Sequence, residues 1–200
     1  YPSESITEQL MTRIGNILGF NMAESHLMSF RGQLRFCSKF FLESGEGLQH
    51  GLEIFELYLR DKDLVKEIVL DDSERELFTF QFIRDAICET YIEFDDEIIT
   101  EFIKMLIFDA LVGNNDRHHA NWGVVYSARF NVRPHFSPIY DTASGLFWNI
   151  PENGLAKQAR RLERYVNGSQ PKIGWQNTKV RNHFHLISLI KENYLEYEGL

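Results

Sequence analysis

A chain of 200 residues that is 44% hydrophobic and 14% aromatic, with 16 Phe, can bury a core, which excludes a disordered polypeptide. A formal charge of −8 excludes nucleic-acid binding through a basic surface, so any phosphate ligand must be met by local cations or a metal. No run approaches the roughly 18 apolar residues of a membrane span, no signal peptide is visible at Tyr1, and Cys37 and Cys88, without a Cys-x-x-Cys, read as buried free thiols of a reducing compartment. The expected location is the cytoplasm.

Residues 5–18 read as a helix. Ser5 with Glu8 offers a capping box, Ile6, Leu10, Ile14, Ile17 and Leu18 recur at helical spacing, and Gly19 suits the stop. Residues 22–30 and 33–42 read as two strands of a hairpin around Arg31-Gly32. The second arm carries Lys39 between apolar neighbours, either as an edge-strand charge or as a residue near a ligand at the junction of two parts. Residues 43–51, with Gly45, Gly47 and Gly51, read as a loop, and 52–59 as a short helix. Ser73 and Glu76 signal a new start, with a helix over 74–92. Residues 97–112 are apolar nearly all round, as in a buried central helix, and end at Gly113.

Gly113 opens the most informative segment, Gly-Asn-Asn-Asp-Arg-His-His-Ala-Asn-Trp-Gly, residues 113–123. Asp116 and Asn121 share one short loop that leaves a buried helix and enters an apolar strand. A second hairpin is expected over 122–126 and 134–137, and residues 138–145, Pro-Ile-Tyr-Asp-Thr-Ala-Ser-Gly, place Asp141 just after it. Residues 149–176 are polar and partly irregular, and 179–195 form a terminal helix. The fold class is α+β with segregated elements: a small strand-containing part at 1–52 and a helical part at 53–200, with the site between them.

An isolated loop Asp or Asn usually caps a helix or makes a turn. An Asp-x-x-x-x-Asn loop followed by a separate Asp, however, is what phosphoryl transfer from a metal-bound nucleotide needs. Asp116 can accept a proton from an attacking hydroxyl, while the Asn121 carbonyl and the Asp141 carboxylate are hard oxygen ligands suited to Mg2+. Adjacent His118 and His119 leave a second reading open, a metal hydrolase built from Asp116, His118, His119 and Asp141. A third reading is a binding module without catalysis. Lys157, Arg160, Arg161, Arg164 and Lys172 form either a solvated face or a phosphate-contacting patch. No Gly-x-Gly-x-x-Gly and no Gly-x-x-x-x-Gly-Lys-Ser/Thr occurs.

The joint motif, Gly-Asn-Asn-Asp-Arg-His-His-Ala-Asn-Trp-Gly with Pro-Ile-Tyr-Asp, resembles the HipA family of serine/threonine kinases, and in particular its shorter members. The resemblance is strongest over 104–148 and weakest after 150. It implies a protein-kinase-like, two-lobed fold with a partial N-lobe hairpin, a mainly helical C-lobe, and ATP and Mg2+ in the cleft. By motif position, Asp116 would be the catalytic base, Asn121 and Asp141 would hold metal, and His118 and Tyr140 would lie beside the nucleotide. Ser38, Lys39 and Phe40 would fall near the adenine, and Glu4 would be the helix glutamate that pairs with a phosphate-binding lysine. The partners implied are a protein with a Ser or Thr acceptor and an antitoxin protein, with no nucleic acid and no membrane. In the family the lysine and the phosphate loop precede the glutamate helix. They are therefore expected ahead of Tyr1, or are missing from a reduced form in which Lys39 is the weak substitute.

Overall fold

The computed structural model describes residues 2–71, 73–128, 132–146, 148, 154, 163 and 167–195. Helix α1 spans Pro2–Ile17. It therefore begins before Ser5, and Ser5 with Glu8 is not its cap; Glu8 turns inward to another partner. The hairpin follows as β1 (Ser25–Phe30) and β2 (Gln33–Ser38), antiparallel, with Phe30 opposite Gln33. Arg31 and Gly32 both have positive φ, 51° and 75°, which matches the right-handed twist of the two arms. Both strands are shorter than expected. Ahead of β1, Met22 instead forms a parallel bridge with Ile139, held by Ala23 N–H to the Ile139 carbonyl at 2.9 Å and Ile139 N–H to the Asn21 carbonyl at 2.7 Å.

Residues 46–50, expected to be loop, are strand β3, pairing antiparallel with β4 (Gly123–Ser127), which pairs in turn with β5 (His135–Phe136). The glycines that suggested a loop are there for close approach: a Cβ on Gly51 would lie 2.5 Å from the Trp122 ring. Helix α2 is Gly51–Leu59. Helix α3, Lys62–Leu70, was not expected from the sequence. Asp61 caps it by accepting the Asp63 and Leu64 amides, and Val65 and Ile68 are buried beneath a charged surface.

The single helix expected over 74–92 is two, α4 (Glu74–Leu77) and α5 (Phe80–Thr90). The chain breaks at Phe78–Thr79 because Thr79 caps α5 through the Phe82 amide and Phe80 N–H is taken by the Gly174 carbonyl. Helix α6, Asp95–Val112, is the buried central helix expected, with acids in its first turn opposing the macrodipole and Gly113 closing it at φ 66°. Helix α7 is His183–Ile190, capped by Asn182 and followed by a wider turn over Lys191–Leu195, so the terminal helix starts four residues later than expected. One core cluster joins Met11 of α1 to Phe55, Phe80, Phe102, Trp122 and Leu186. Cys37 and Cys88 are unpaired and only half-buried, and burial pushes the Cys88 thiol up to about 11. Lys157, Arg160, Arg161 and Arg164 lie outside the described residues. Among the described residues no helix is long and apolar enough to cross a membrane.

Candidate active site

The loop after α6 is fixed by its own side chains. Asn114 is buried, donates to Asp109 Oδ1 at 2.9 Å, and accepts the Asp116 amide at 3.2 Å. The Asp116 carbonyl accepts the His118 amide at 2.9 Å and Asn121 Nδ2 at 2.8 Å. His118 Nδ1 accepts the Ala120 amide at 3.2 Å, and His119 Nδ1 lies 2.9 Å from Glu74 at the start of α4. Among the described residues, no hydrogen bond or ion pair engages the Asp116 carboxylate. The loop thus commits its neighbouring side chains to geometry and leaves one half-buried carboxylate available.

Arg117 joins this loop to the segment that carries Asp141. It is 1% exposed and pairs with Asp109, which is 0% exposed, at 2.8 and 3.0 Å in a two-pronged arrangement. Its Nη1 also donates to the Asn121 carbonyl at 2.6 Å and the Tyr140 carbonyl at 2.7 Å. One nitrogen therefore draws together the two backbone segments that carry Asn121 and Asp141. Burial alone would lower the Arg117 pKa, but the Asp109 carboxylate raises it above the usual value, with a smaller contribution from Asp141.

Asp141 has φ 53°, a left-handed conformation that a non-glycine residue adopts only when its surroundings hold it. Both flanking peptides are held. Arg117 binds the Tyr140 carbonyl before it, and Glu8 of α1 accepts the Thr142 amide after it at 2.8 Å. Glu8 is buried, and burial pushes its carboxyl above the usual 4.5; the Thr142 amide opposes this and nearby Asp141 adds to it. Glu4, Glu8, Ser38, Tyr140 and Asp141 line one cavity of about 330 Å3 between α1, the hairpin and the Asp141 segment, a size at the lower end of ligand pockets.

The sequence-predicted residues divide accordingly. Glu4, Ser38, Tyr140 and Asp141 share this cavity wall. Asp116 and Asn121 do not line it; the Asn121 carbonyl shares the Arg117 guanidinium with the Tyr140 carbonyl. Lys39 is exposed and pairs with Glu24 at 2.6 Å, Phe40 is 79% exposed, and neither lines the cavity. His118 lies against a separate small pocket with Glu74, His119 and Lys172. The Tyr140 hydroxyl meets His50 Nδ1 and the Ala120 carbonyl, each at 3.2 Å, and its ring stacks on Phe41; burial raises its pKa. The four-residue hydrolase set is not assembled: among the described residues no group of three or more His, Cys, Asp or Glu is placed to hold a metal.

Sequence reasoning missed Asp109, Arg117, Glu8 and His183. An acid among the apolar residues of the last two turns of α6, eight residues before an arginine, is a legible signal for the first two. Glu8 was hidden because a capping box had already accounted for it. His183 is 2% exposed on α7 and leaves Nε2 without a partner among the described residues. Burial lowers its pKa below the usual 6.5, against a raising effect from Asp109; Arg75 and Arg117 act in the lowering direction. The unfolded chain then binds the proton more readily, so stability is lost as pH falls below about 6.5 and through the lower folded value. Urea midpoints should drop over that range in the native protein and drop less in His183→Gln; equal drops would show that another group carries the effect.

The arrangement, a hairpin and helix beside a helical body, is a kinase-like α+β fold. The chain superposes on the crystal structure of a Helicobacter pylori proinflammatory kinase, CtkA, with a TM-score of 0.70 at 19% identity, over 88% of this chain and 62% of that one. It belongs to the HipA-like C-terminal domain family, which it matches over residues 1–192. It is also 42% identical over 75 residues to the putative kinase Y4dM of Sinorhizobium fredii (strain NBRC 101917 / NGR234), a stretch that covers 38% of this chain and 18% of that protein. The chain thus spans less than two thirds of either relative.

Proposed function

We propose that this chain carries the catalytic site of an ATP- and Mg2+-dependent serine/threonine protein kinase, acting on a protein hydroxyl, with residues 1–52 contributing to the N-lobe and 53–200 forming the C-lobe. The observation that carries the reading is Arg117, whose single buried guanidinium ties the Asn121 and Tyr140 carbonyls together beside a loop that leaves the Asp116 carboxylate available. Asp116 would accept the proton of the attacking hydroxyl. The donor set fits Mg2+. Asn121 spends its amide nitrogen on the Asp116 carbonyl, which leaves its side-chain oxygen for a cation, and Asp141 supplies a carboxylate at the cavity wall. Bound there, the ion would offset negative charge on the phosphates. An antitoxin-type protein is the regulatory partner this reading implies.

We assign to Glu8, rather than to Glu4 one helical turn earlier, the coupling of α1 to the metal-binding segment. Glu8→Ala should weaken Mg2+·ATP binding by roughly 10-fold, the loss of one charge-assisted hydrogen bond, while Glu8→Gln, which keeps an acceptor for the Thr142 amide, should retain most of it. Equal losses in the two variants, measured by calorimetry, would remove this role.

A second reading, a kinase-like binding module without transfer activity, is favoured by one observation. The cavity wall carries Glu4, Glu8 and Asp141 but, among the described residues, no Lys or Arg. Titrating the full-length protein with ATP, with and without Mg2+, separates the two. Metal-dependent binding with transfer to a protein substrate supports the kinase; binding of neither ATP nor Mg2+ supports the module.

A further inference from the structure

The residues on either side of Asp116 are anchored to different parts of the molecule. Arg117 is locked to α6 and to the segment that carries Asp141. Asn115, on the other side, uses its carboxamide oxygen to accept the Ser169 hydroxyl at 2.7 Å and the Gln170 amide at 3.0 Å. Ser169 is buried, and its carbonyl accepts the His183 amide at 3.3 Å. Residues 169–183 therefore hold the loop through Asn115, a contact made by neither α6 nor the metal-binding segment.

That segment has anchors of its own. Arg75 of α4 donates to the Gln170 side chain at 2.6 Å and to the Val180 carbonyl at 2.7 Å. Gly174 passes so close to α4 that a Cβ there would lie 2.0 Å from the Arg75 carbonyl oxygen. Trp175 stacks on Phe80 with ring planes 7° apart. Cutting the Asn115 contact would consequently leave the segment docked on α4 and α5, and would release the loop alone.

We propose that residues 169–183 act as a strap that fixes the direction of the Asp116 carboxylate, with Asn115 and Ser169 as positioning residues for phosphoryl transfer. This rests on the kinase reading above. Asn115 touches neither nucleotide nor acceptor in this scheme. It sets the orientation of the peptide on the N-terminal side of Asp116, as Arg117 does on the other side, and the carboxylate can meet an incoming hydroxyl only when both are held. Small displacements of a reacting group are costly, up to about 100-fold in rate for roughly 1 Å.

The test uses the full-length protein. Asn115→Ala and Ser169→Ala should lower kcat by roughly 10- to 100-fold while the Kd for Mg2+·ATP stays within about two-fold, because the nucleotide side of the site is held by other residues; Ser169→Thr, which keeps the hydroxyl, should restore most of kcat. Amide hydrogen exchange in 115–120 should quicken in Asn115→Ala while α6 stays protected. An unchanged kcat overturns the proposal. So does a loss of kcat matched by equal loss of nucleotide affinity and of α6 protection, and so does a Ser169→Thr variant as slow as Ser169→Ala. If the native protein transfers no phosphoryl group, the kinase reading fails and hydrogen exchange decides the strap by itself: selective loosening of 115–120 supports it, and unchanged exchange refutes it.

Discussion

On the proposed reading, Asp116→Asn should abolish phosphoryl transfer and leave the fold intact. The amide cannot take a proton from the acceptor hydroxyl, and loss of a positioned general base costs about 100- to 10,000-fold in rate. The carboxylate is engaged by no hydrogen bond or ion pair among the described residues, so the exchange should move the melting temperature little. Affinity for Mg2+·ATP should also be kept, since the cation is assigned to Asn121 and Asp141. Single-turnover transfer to a protein substrate, run beside calorimetric nucleotide binding, checks this. A variant that transfers at the native rate would remove Asp116 from the chemistry. A variant that also loses nucleotide would move it into the metal site.

The largest effect on stability belongs to Arg117. Arg117→Met leaves the Asp109 carboxylate buried with its main counter-charge gone, a change that typically costs about 3–5 kcal/mol. The Asn121 and Tyr140 carbonyls lose their donor at the same time, so nucleotide binding should fall together with stability. Adding Asp109→Leu should recover part of the stability, because two apolar residues avoid the stranded charge, but none of the nucleotide affinity, because the two carbonyls are still unbridged. Urea unfolding of the single and double variants reads the first effect and calorimetry the second. Arg117→Lys should fall between, since an ammonium keeps the charge without the planar fork. A loss under about 1 kcal/mol in Arg117→Met would show that the pair is solvated and that the two segments are joined by other means.

The parts of the candidate site that are legible in the sequence are its local ones. Asp116 and Asn121 lie on one loop between a buried helix and an apolar strand, and Asp141 follows a recognisable strand end. The apolar residues of 97–112 marked the central helix for the same reason: burial on every side leaves few polar interruptions. What was not legible depends on contacts between distant segments. The glycines of 43–51 suggest a loop, whereas Gly47 lies inside β3, where a Cβ would come within 2.6 Å of the Tyr126 ring. The helix over 74–92 was read as continuous because the break at Thr79 is imposed by Gly174, far along the chain. Glu8 looked like a local cap, and only its bond to Thr142 shows that it belongs to the Asp141 segment. The apolar neighbours of Lys39 point it toward the site, although Glu24, just before β1, pairs with it on the exposed surface.

The most direct test is the position of the metal itself. Crystals of the full-length protein grown with Mn2+ and a non-hydrolysable ATP analogue should give an anomalous peak at about 2.0–2.2 Å from both the Asn121 side-chain oxygen and an Asp141 carboxylate oxygen, with Asp116 facing the γ-phosphate. A nucleotide bound with its metal on neither residue, or a metal held by Asp116 and the histidines with no nucleotide, would contradict it.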